Sequence, residues 1–336
     1  MTETVFQHPL ARAWGAVVLA LAAATAAHAQ DNFPSRPVTL VIPVAAGSAS
    51  DVAARMVGEG LAQQLGQPVV AVNRPGGNNM VAVRSVLSSP GEGYSVLFLS
   101  SGIVVDQAIK KHGQFDVRKD LTPVARVVQA PLGLFVSNTL PVNSVKELVE
   151  YVKKNPGKVN FGSVGVGAIA HLTTEQFMAA TGARMTHVPY PSGTAAVLPA
   201  MISGDVGVYI NEMGSMRGFV QDRKIKLLAT LADRRSPIYP DAPSIPELGM
   251  PELRGVFRPF FFGLFVEPGV PAARVEALAN ALNKAVAEPT TQGRLVGLGY
   301  DPALMGGTRP AEFRALIGDE LSRTEAIVKN AKIQVQ

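Results

Sequence analysis

The chain has 336 residues, of which 47% are hydrophobic and 17% charged, so it can bury the cores of two ordinary domains and does not have the composition of a disordered protein. Its net charge of +5 comes from dispersed Lys and Arg residues, and the lack of a long basic run argues against a nucleic-acid partner. The absence of cysteine excludes disulfides, thiolate metal sites and cysteine nucleophiles.

The first segment has the pattern of an export signal. Arg12 precedes an apolar run, residues 13–27, that is shorter than the about 20 residues of a membrane span. The run ends in Ala27-His28-Ala29, which is a signal-peptidase cleavage pattern. We therefore expect residues 1–29 to be a signal peptide, Gln30 to begin the mature protein, and the protein to reside in the periplasm of a Gram-negative bacterium.

From Val38 onward, predicted strands and helices alternate. The first third of the chain predicts strands at Val38–Val44, Val69–Val72 and Val96–Ser100, and helices at Asp51–Leu65 and Val81–Leu87. The middle third predicts strands at Leu132–Val136, Val159–Phe161, Met185–Val188, Val206–Ile210 and Ile225–Thr230, and helices at Ser144–Lys154, Ile169–Thr181 and Thr194–Ile202. This alternation predicts parallel sheets covered by helices.

The last third begins with a different pattern. Ser236–Leu253 contains five prolines and predicts an irregular connection. The stretch Val256–Val266, which includes the apolar run Phe260–Val266, then predicts a buried strand, and helices are predicted at Ala272–Ala287 and Pro310–Lys329. We therefore predict an α/β fold of two lobes, the first formed by residues 30–130 and 256–336 and the second by residues 131–255.

Two strand–loop–helix units, one in each half, carry the functional signal. Their sequences are PVAAGSASD at residues 43–51 and FGSVGVGAIAH at residues 161–171. The first N–H groups of a helix lack intrahelical acceptors and lie at the positive end of its dipole, and glycine allows close approach of a ligand. Each loop alone is explained as a simple chain turn, but two in corresponding positions predict a shared cleft for a carboxylate or phosphate.

Motifs of competing functions do not occur in these loops. Neither has the lysine of a phosphate-binding P-loop, and the spacing of Gly162, Gly165 and Gly167 differs from the dinucleotide fingerprint. The sequence has no H-E-x-x-H zinc motif and no G-x-S-x-G nucleophile elbow. Asp51 is expected to cap its helix or brace the loop, and isolated His171 and His187 are expected to be structural. No cofactor or metal is expected.

Five stretches in order resemble a known family. They are FPSRPVTLVIPVAAGSASDVAAR, LGQPVVAVNRPGG, FGSVGVGAIAHL, HVPYPSGTAAVLPAMISGDV and DAPSIPELGM, and the resemblance extends from Pro34 to about Glu320. Together they are similar to the Bug family, the periplasmic substrate-binding proteins of tripartite tricarboxylate transporters. The resemblance implies a type II periplasmic binding protein fold, with two lobes joined by hinge strands. It also implies a receptor for small carboxylates rather than an enzyme, acting as a monomer with the transporter's membrane subunits as partners.

The resemblance also assigns the ligand contacts position by position. The family's first loop, P-F-x-x-G-G-S-T-D, matches Pro43 through Asp51, with Ser48 in place of the second glycine. Ala168 and Asn211 stand where the family commonly has a serine and an acidic residue. The predicted ligand-binding residues are Gly47, Ser48, Ala49, Ser50, Asp51, Asn78, Ser101, Ser163, Gly165, Gly167, Ala168, His171, Tyr190, Asn211 and Arg258. The hydrogen-bond donors to the carboxylate are expected to be Ser48, Ser50 and the backbone of residues 165–168.

Two questions stay open at the level of sequence. The protein is expected to be a receptor that delivers its ligand to a transporter, and the alternatives are a ligand sensor for a signalling partner and a secreted enzyme of similar fold. The ligand is expected to be a dicarboxylate. Because Ala168 and Asn211 make the pocket less polar and residues 257–262 hold four Phe, an aromatic diacid such as terephthalate is favoured. Arg258 is predicted to clasp the second carboxylate, with a surface position as its alternative.

Overall fold

The computed structural model describes residues 32–77, 79–109, 113, 115–191, 193–254, 260–301 and 305–330. The chain divides into two compact units, Met1–Ser35 and Arg36–Gln336. In the first unit only residues 32–35 are described, and they form neither helix nor strand. The predicted signal peptide therefore lies outside the described residues, and all the elements below belong to the second unit.

The first sheet has the strand order β2-β1-β3-β10-β4. Its strands are β1 (Val38–Ile42), β2 (Val69–Asn73), β3 (Ser95–Ser100), β4 (Thr122–Ala130) and β10 (Phe260–Val266). The helices between these strands are α1 (Ala49–Leu65), α2 (Met80–Leu87), α3 (Gly102–Ala108) and α4 (Val117–Asp120). β1 pairs in parallel with β2 and β3, and Leu40 and Ile42 within it are fully buried, as expected of a central strand covered on both faces.

The second sheet has the strand order β7-β6-β8-β5-β9. Its strands are β5 (Leu132–Ser137), β6 (Asn160–Ser163), β7 (Thr186–Pro189), β8 (Val208–Glu212) and β9 (Ile225–Leu231). Its helices are α5 (Val145–Lys154), α6 (Ile169–Thr181), α7 (Thr194–Ser203) and α8 (Met213–Gln221). Two 3₁₀ turns follow at Ile245–Leu248 and Pro251–Leu253. We call each sheet with its helices a lobe, the first and the second.

The chain returns to the first lobe for its last part. After β10 come α9 (Ala272–Ala287), α10 (Pro289–Gly297) and α11 (Pro310–Asn330). Phe313 of α11 packs on the first sheet at Gly263, where a Cβ atom would overlap the phenyl ring, so glycine is needed for this close approach. Phe313 and Phe265 lie in one buried cluster with ring centroids 5.3 Å apart. This packing ties the last helix to the first sheet.

The two-lobed α/β fold predicted from the sequence is confirmed. Two elements have the predicted bounds, α6 at Ile169–Thr181 and α9 at Ala272–Ala287. The predicted strand Val256–Val266 corresponds to β10 from Phe260 onward, and residues 256–259 lie outside the described residues. The expectation of parallel sheets is wrong for β5 and β10, each of which lies antiparallel to its neighbours because the chain crosses between lobes at these strands. The exact lobe boundaries stay predictions. Among the described residues, no helix combines the length and apolarity needed to cross a membrane.

Candidate functional site

The passage of the chain from β4 of the first sheet to β5 of the second places the ends of the parallel strands of both sheets at one cleft. In the first sheet Ala130, the last residue of β4, pairs with Phe260 beside the end of β3. Only Pro131 lies between β4 and β5. Leu132, the first residue of β5, pairs with Glu212, the last residue of β8. The chain therefore leaves the first sheet and enters the second at the edges where their parallel strands end. The loops that follow those strands must border the same cleft, which is the place where open α/β sheets bind ligands.

The first-lobe loop ends in a capped helix. Ser48 is the N-cap of α1, and its hydroxyl oxygen accepts the Asp51 N–H at 3.2 Å. Within the described residues, the N–H groups of Ala49 and Ser50 have no hydrogen-bond acceptor, and neither does the half-buried Ser50 hydroxyl. The loop therefore keeps two backbone donors and two hydroxyls available, as the sequence predicted for a site that binds an anion.

Asp51 braces this loop from behind. Its buried carboxylate accepts the Gly47 N–H at 2.9 Å, the Asn73 amide at 2.7 Å and the Arg55 guanidinium at 3.1 Å. Burial raises the pKa of Asp51, but the hydrogen bonds from Asn73, Arg55 and Gly47 outweigh it and hold the pKa below its ordinary value. The carboxylate is thus ionised and already satisfied. This bonding supports the bracing role expected of Asp51, and the direct ligand contact of Asp51 stays a prediction.

The second-lobe loop is held by side chains at both of its ends. Ser163, fully buried at the end of β6, accepts the Gly165 N–H at 3.1 Å and lies 2.9 Å from the Gly165 carbonyl oxygen. His171, in the first turn of α6, accepts the Gly167 N–H through Nδ1 at 3.0 Å. Gly167 has a φ of 78°, and a Cβ there would overlap Ile109 at the end of α3, so this position requires glycine.

Because of these internal bonds, the N–H groups that a ligand could use in the second lobe differ from those predicted from the sequence. The sequence placed them at the backbone of residues 165–168, but Gly165 and Gly167 donate to the Ser163 and His171 side chains and Ala168 donates to the Gly165 carbonyl. Within the described residues, N–H groups without an acceptor remain at Val166 and at residues 169–171 in the first turn of α6. Ala168 is the N-cap of α6 but provides no side-chain acceptor.

A polar cluster lies at β8 and at the starts of the helices that follow β7 and β8. The Asn211 amide donates to Ser215 at 3.0 Å and approaches Thr194 Oγ1 at 3.4 Å, and Thr194 is hydrogen-bonded to the buried Tyr209 hydroxyl at 3.0 Å. Burial raises the pKa of Tyr209 to about 12, so this hydroxyl stays protonated. The cluster around Asn211 therefore offers uncharged donors and acceptors where the related family commonly has an acidic residue.

The remaining predicted site residues have varied positions. Tyr190 follows β7, is half-buried, and donates its N–H to the Ser163 carbonyl at 2.8 Å. Ser101 is buried and exchanges hydrogen bonds with the backbone of Phe261, so it pins β10 to the start of α3. Asn78 and Arg258 lie outside the described residues, and their contacts with a ligand stay predictions.

Exposed apolar side chains accompany the polar loops. Of the large hydrophobic residues that the structure leaves exposed, Val164 (38% exposed) and Val166 (44%) lie in the second-lobe loop. Val81 (45%) lies in the first turn of α2, against the Gly76-Gly77 turn that follows β2. Apolar walls with a few polar groups are typical of small-molecule sites.

Glu212 is an acidic residue at the cleft that the sequence analysis did not single out. It ends β8 and precedes α8, where burial raises its pKa to about 7 while the neighbouring Tyr300 hydroxyl acts in the opposite direction. Tyr300 is itself buried, and burial and the charge of Glu212 raise its pKa well above the ordinary value. The adjacent Asn211 was found through the family pattern, whereas nothing local in the sequence indicates that Glu212 is half-buried.

The described residues offer no metal site as an alternative to this cleft. In the part of the chain that the structure describes, no group of three or more His, Asp or Glu residues is placed to hold a metal ion. The donors available in the two loops are backbone N–H groups and hydroxyls, which bind a carboxylate through hydrogen bonds.

Comparison with known proteins gives a consistent result. Residues 53–333 match the family described as the tripartite tricarboxylate transporter family receptor. A UPF0065 protein of Bordetella pertussis is 32% identical over 322 residues, covering 96% of this chain and 97% of that protein. The structure of the periplasmic binding protein BugD aligns with a TM-score of 0.75 at 27% identity over 90% of this chain and 100% of that one. An R. palustris protein with adipate aligns with a TM-score of 0.78 at 29% identity over 90% and 99%.

Proposed function

Because this chain belongs to the tripartite tricarboxylate transporter receptor family, we propose that it is a periplasmic solute-binding receptor for a small dicarboxylate. It captures the ligand in the cleft between its lobes and delivers it to the membrane subunits of a transporter. The predicted signal peptide and the periplasmic relative BugD support this location. The ligand is carried unchanged, as expected of a receptor of this family.

The proposal rests on two helix N-termini whose backbone N–H groups are available to a ligand. α1 offers the N–H groups of Ala49 and Ser50, and α6 offers those of residues 169–171. A partly buried helix N-terminus contributes up to about 2 kcal/mol to anion binding, and a hydrogen bond to a charged oxygen about 1.5–3 kcal/mol. A few such contacts reach a micromolar Kd, or about −8 kcal/mol, after the cost of ordering the ligand and loops.

The chemistry of the loops favours a diacid with an apolar body. One carboxylate is accommodated by the two helix N-termini, and the uncharged cluster at Asn211 does not repel a second one. Val81, Val164 and Val166 provide apolar contact for the part of the ligand between the carboxylates. The relative with adipate supports a dicarboxylate. We favour an aromatic diacid such as terephthalate, with Arg258 as the second carboxylate's partner.

Calorimetric titration of the purified exported protein with adipate and terephthalate tests the proposal. We expect a 1:1 complex with at least one of these diacids and a much weaker interaction with the matching monoacids, hexanoate and benzoate. Incubation followed by chromatography should return the diacid unchanged. Conversion of the diacid would favour the secreted-enzyme alternative, and the absence of binding by any carboxylate in a broad thermal-shift screen would reject the receptor function.

A further inference from the structure

Two histidines form a stacked pair beneath the second-lobe loop. The rings of His171 on α6 and His187 on β7 are nearly parallel, at 6°, with centroids 3.9 Å apart. Phe161 of β6 lies beside both rings, with its centroid 4.9 Å from that of His187 and 6.0 Å from that of His171. His171 is only 7% exposed. The three rings thus form one cluster that joins two strands and a helix immediately behind the loop.

Hydrogen bonding assigns the proton of His187. Its Nε2 lies 2.6 Å from the Ser163 hydroxyl, which also accepts the Gly165 N–H and lies 2.9 Å from the Gly165 carbonyl. A serine hydroxyl has one proton and two lone pairs. All these contacts are satisfied when Ser163 donates to the Gly165 carbonyl and His187 donates its Nε2–H to Ser163.

Hydrogen bonding assigns the proton of His171 as well. Its Nδ1 accepts the Gly167 N–H at 3.0 Å, so Nδ1 carries no proton and Nε2 must carry it. Nε2 lies 3.6 Å from a Glu175 carboxylate oxygen, one turn further along α6. The side chain reaches Gly167 because helical side chains tilt toward the helix N-terminus. His171 is therefore neutral, and both histidines carry a proton on Nε2.

We propose that His171 and His187 are positioning residues for carboxylate binding, which act as a neutral stacked pair to hold the second-lobe loop with the first N–H groups of α6 facing the cleft. The inference rests on the proposed function, because it assigns these residues to the same ligand site. His187 fixes the Ser163–Gly165 end of the loop and His171 fixes Gly167. Neither ring needs to touch the ligand, so their effect on affinity is indirect.

Only the neutral pair can hold this arrangement. A proton on Nδ1 of His171 would face the Gly167 N–H, and two imidazolium rings at this separation would repel. The titratable neighbours that act on His187 are His171 and Glu175. Burial and then His171 lower the pKa of His187 to about 4, while Glu175 raises it, so His187 stays neutral at ordinary pH.

Selective ¹⁵N labelling of histidine tests the assignment without any ligand. The chain has five histidines, and the His171→Asn and His187→Gln variants identify the two signals. We expect both rings to give the spectrum of neutral imidazole with the proton on Nε2 at pH 7. A proton on Nδ1 of His171, or a charged ring at either position, would overturn the proposal.

Paired variants then separate positioning from packing. The amide introduced by His171→Asn can present an oxygen where Nδ1 lies, and the amide introduced by His187→Gln can present an N–H donor where Nε2 lies, whereas Phe at either position keeps only the ring. We expect His171→Phe and His187→Phe to bind adipate about fivefold to tenfold more weakly, the effect of losing one hydrogen bond or more. His171→Asn and His187→Gln should stay within about twofold of the wild type. Equal losses in the Asn, Gln and Phe variants would contradict a positioning role.

Two further measurements extend the test. The first needs no ligand, and the second follows the pH dependence of ligand affinity. In the ligand-free protein, the Gly167 amide should exchange with solvent about tenfold faster in His171→Phe than in His171→Asn. Unchanged exchange would overturn the inference even if adipate is not bound. If adipate binds, its affinity in the wild type should fall more steeply below pH about 5 than in His187→Gln, which cannot titrate. Identical pH curves would remove His187 from the positioning pair.

Discussion

The amide nitrogen of Asn73 lies 2.7 Å from the Asp51 carboxylate and 2.9 Å from the Val44 carbonyl oxygen. Asn73 ends β2, and its own oxygen accepts the Arg55 guanidinium at 2.6 Å. One side chain thus joins the neighbouring strand, the loop and the helix that form the first-lobe half of the cleft. The loop is held in place before any ligand arrives, which lowers the cost of ordering it on binding.

Replacing Asn73 should therefore weaken the whole first-lobe loop. In Asn73→Ala the Asp51 carboxylate loses one hydrogen bond and the Val44 carbonyl loses its partner, so we expect a loss of about 1–3 kcal/mol in the free energy of unfolding. Urea denaturation measures it. Asn138→Ala is the control, because its amide makes a single exposed hydrogen bond to the Arg223 carbonyl. Equal effects of the two substitutions would show that Asn73 is not a brace.

Ser50→Ala tests the first-lobe loop as a ligand contact. The Ser50 hydroxyl has no acceptor among the described residues and lies in the first turn of α1. We expect the substitution to weaken binding of the diacid by about 1–2 kcal/mol while leaving the melting temperature unchanged. Calorimetry gives the affinity, and Ser88→Ala, at the exposed end of α2, is the matched control. An unaltered Kd would remove Ser50 from the site.

Ala168→Ser should stabilise the second lobe. Ala168 has the extended backbone of an N-cap, with φ −62° and ψ 157°, but no side-chain oxygen to accept an N–H of α6. A serine there supplies that acceptor, which is worth about 0.5–2 kcal/mol at an N-cap. Thermal unfolding measures the gain. Ala272→Ser, one position past the N-cap of α9, should change little, and an equal gain there would contradict the capping explanation.

Local signals explain which elements could be predicted from the sequence. α6 was predicted to its bounds because its end is marked by Gly182, which has a left-handed φ of 71°. β4 was not predicted, and it contains Pro123, which disfavours a central strand; β4 is an edge strand, where a missing N–H costs no ladder bond. α8 was missed because Gly214 and Gly218 lower its helix propensity, which packing in the folded protein overrides.

The contacts behind the site loops could not be predicted in the same way. The sequence located both loops through their glycines and serines. It could not reveal that Asn73 binds Asp51 across 22 positions, or that His187 binds Ser163 across 24, because these pairings exist only once neighbouring parallel strands align. The same alignment decides which N–H groups remain available. Of the N–H groups of residues 165–168, only that of Val166 stays available, and the first turn of α6 provides the others.

Glu212 should make stability depend on pH near neutrality. Burial raises its pKa from 4.5 to about 7, so the folded protein keeps a proton that the unfolded chain releases between these values. The stability that protonated Glu212 contributes to the folded state is fully present below about pH 4.5 and is lost as the pH rises through about 7. In Glu212→Gln this loss should be absent, so the melting temperatures of variant and wild type should diverge between about pH 5 and about pH 8. Glu150→Gln, an exposed substitution on α5, should follow the wild type, and a parallel pH dependence for Glu212→Gln would contradict the assignment.

The last prediction concerns the choice of ligand. An aromatic diacid places a flat apolar ring against Val81, Val164 and Val166 and leaves two carboxylates for the polar loops. We expect terephthalate to raise the melting temperature more than adipate, succinate or citrate does, in a thermal-shift screen at equal concentrations. Val166→Ser should reduce the terephthalate shift more than the succinate shift, because the lost contact area matters only for a ligand with an apolar body.

The same screen separates the two halves of this prediction. Benzoate carries the ring and one carboxylate, so stabilisation by benzoate equal to that by terephthalate would show that no second carboxylate is recognised. Stabilisation by succinate or citrate without any by aromatic diacids would reject the aromatic preference while leaving the receptor function intact. Arg258→Ala should weaken terephthalate about tenfold and leave benzoate unchanged, because a bidentate guanidinium contact is made only to the second carboxylate. Full terephthalate affinity in that variant would place Arg258 outside the site.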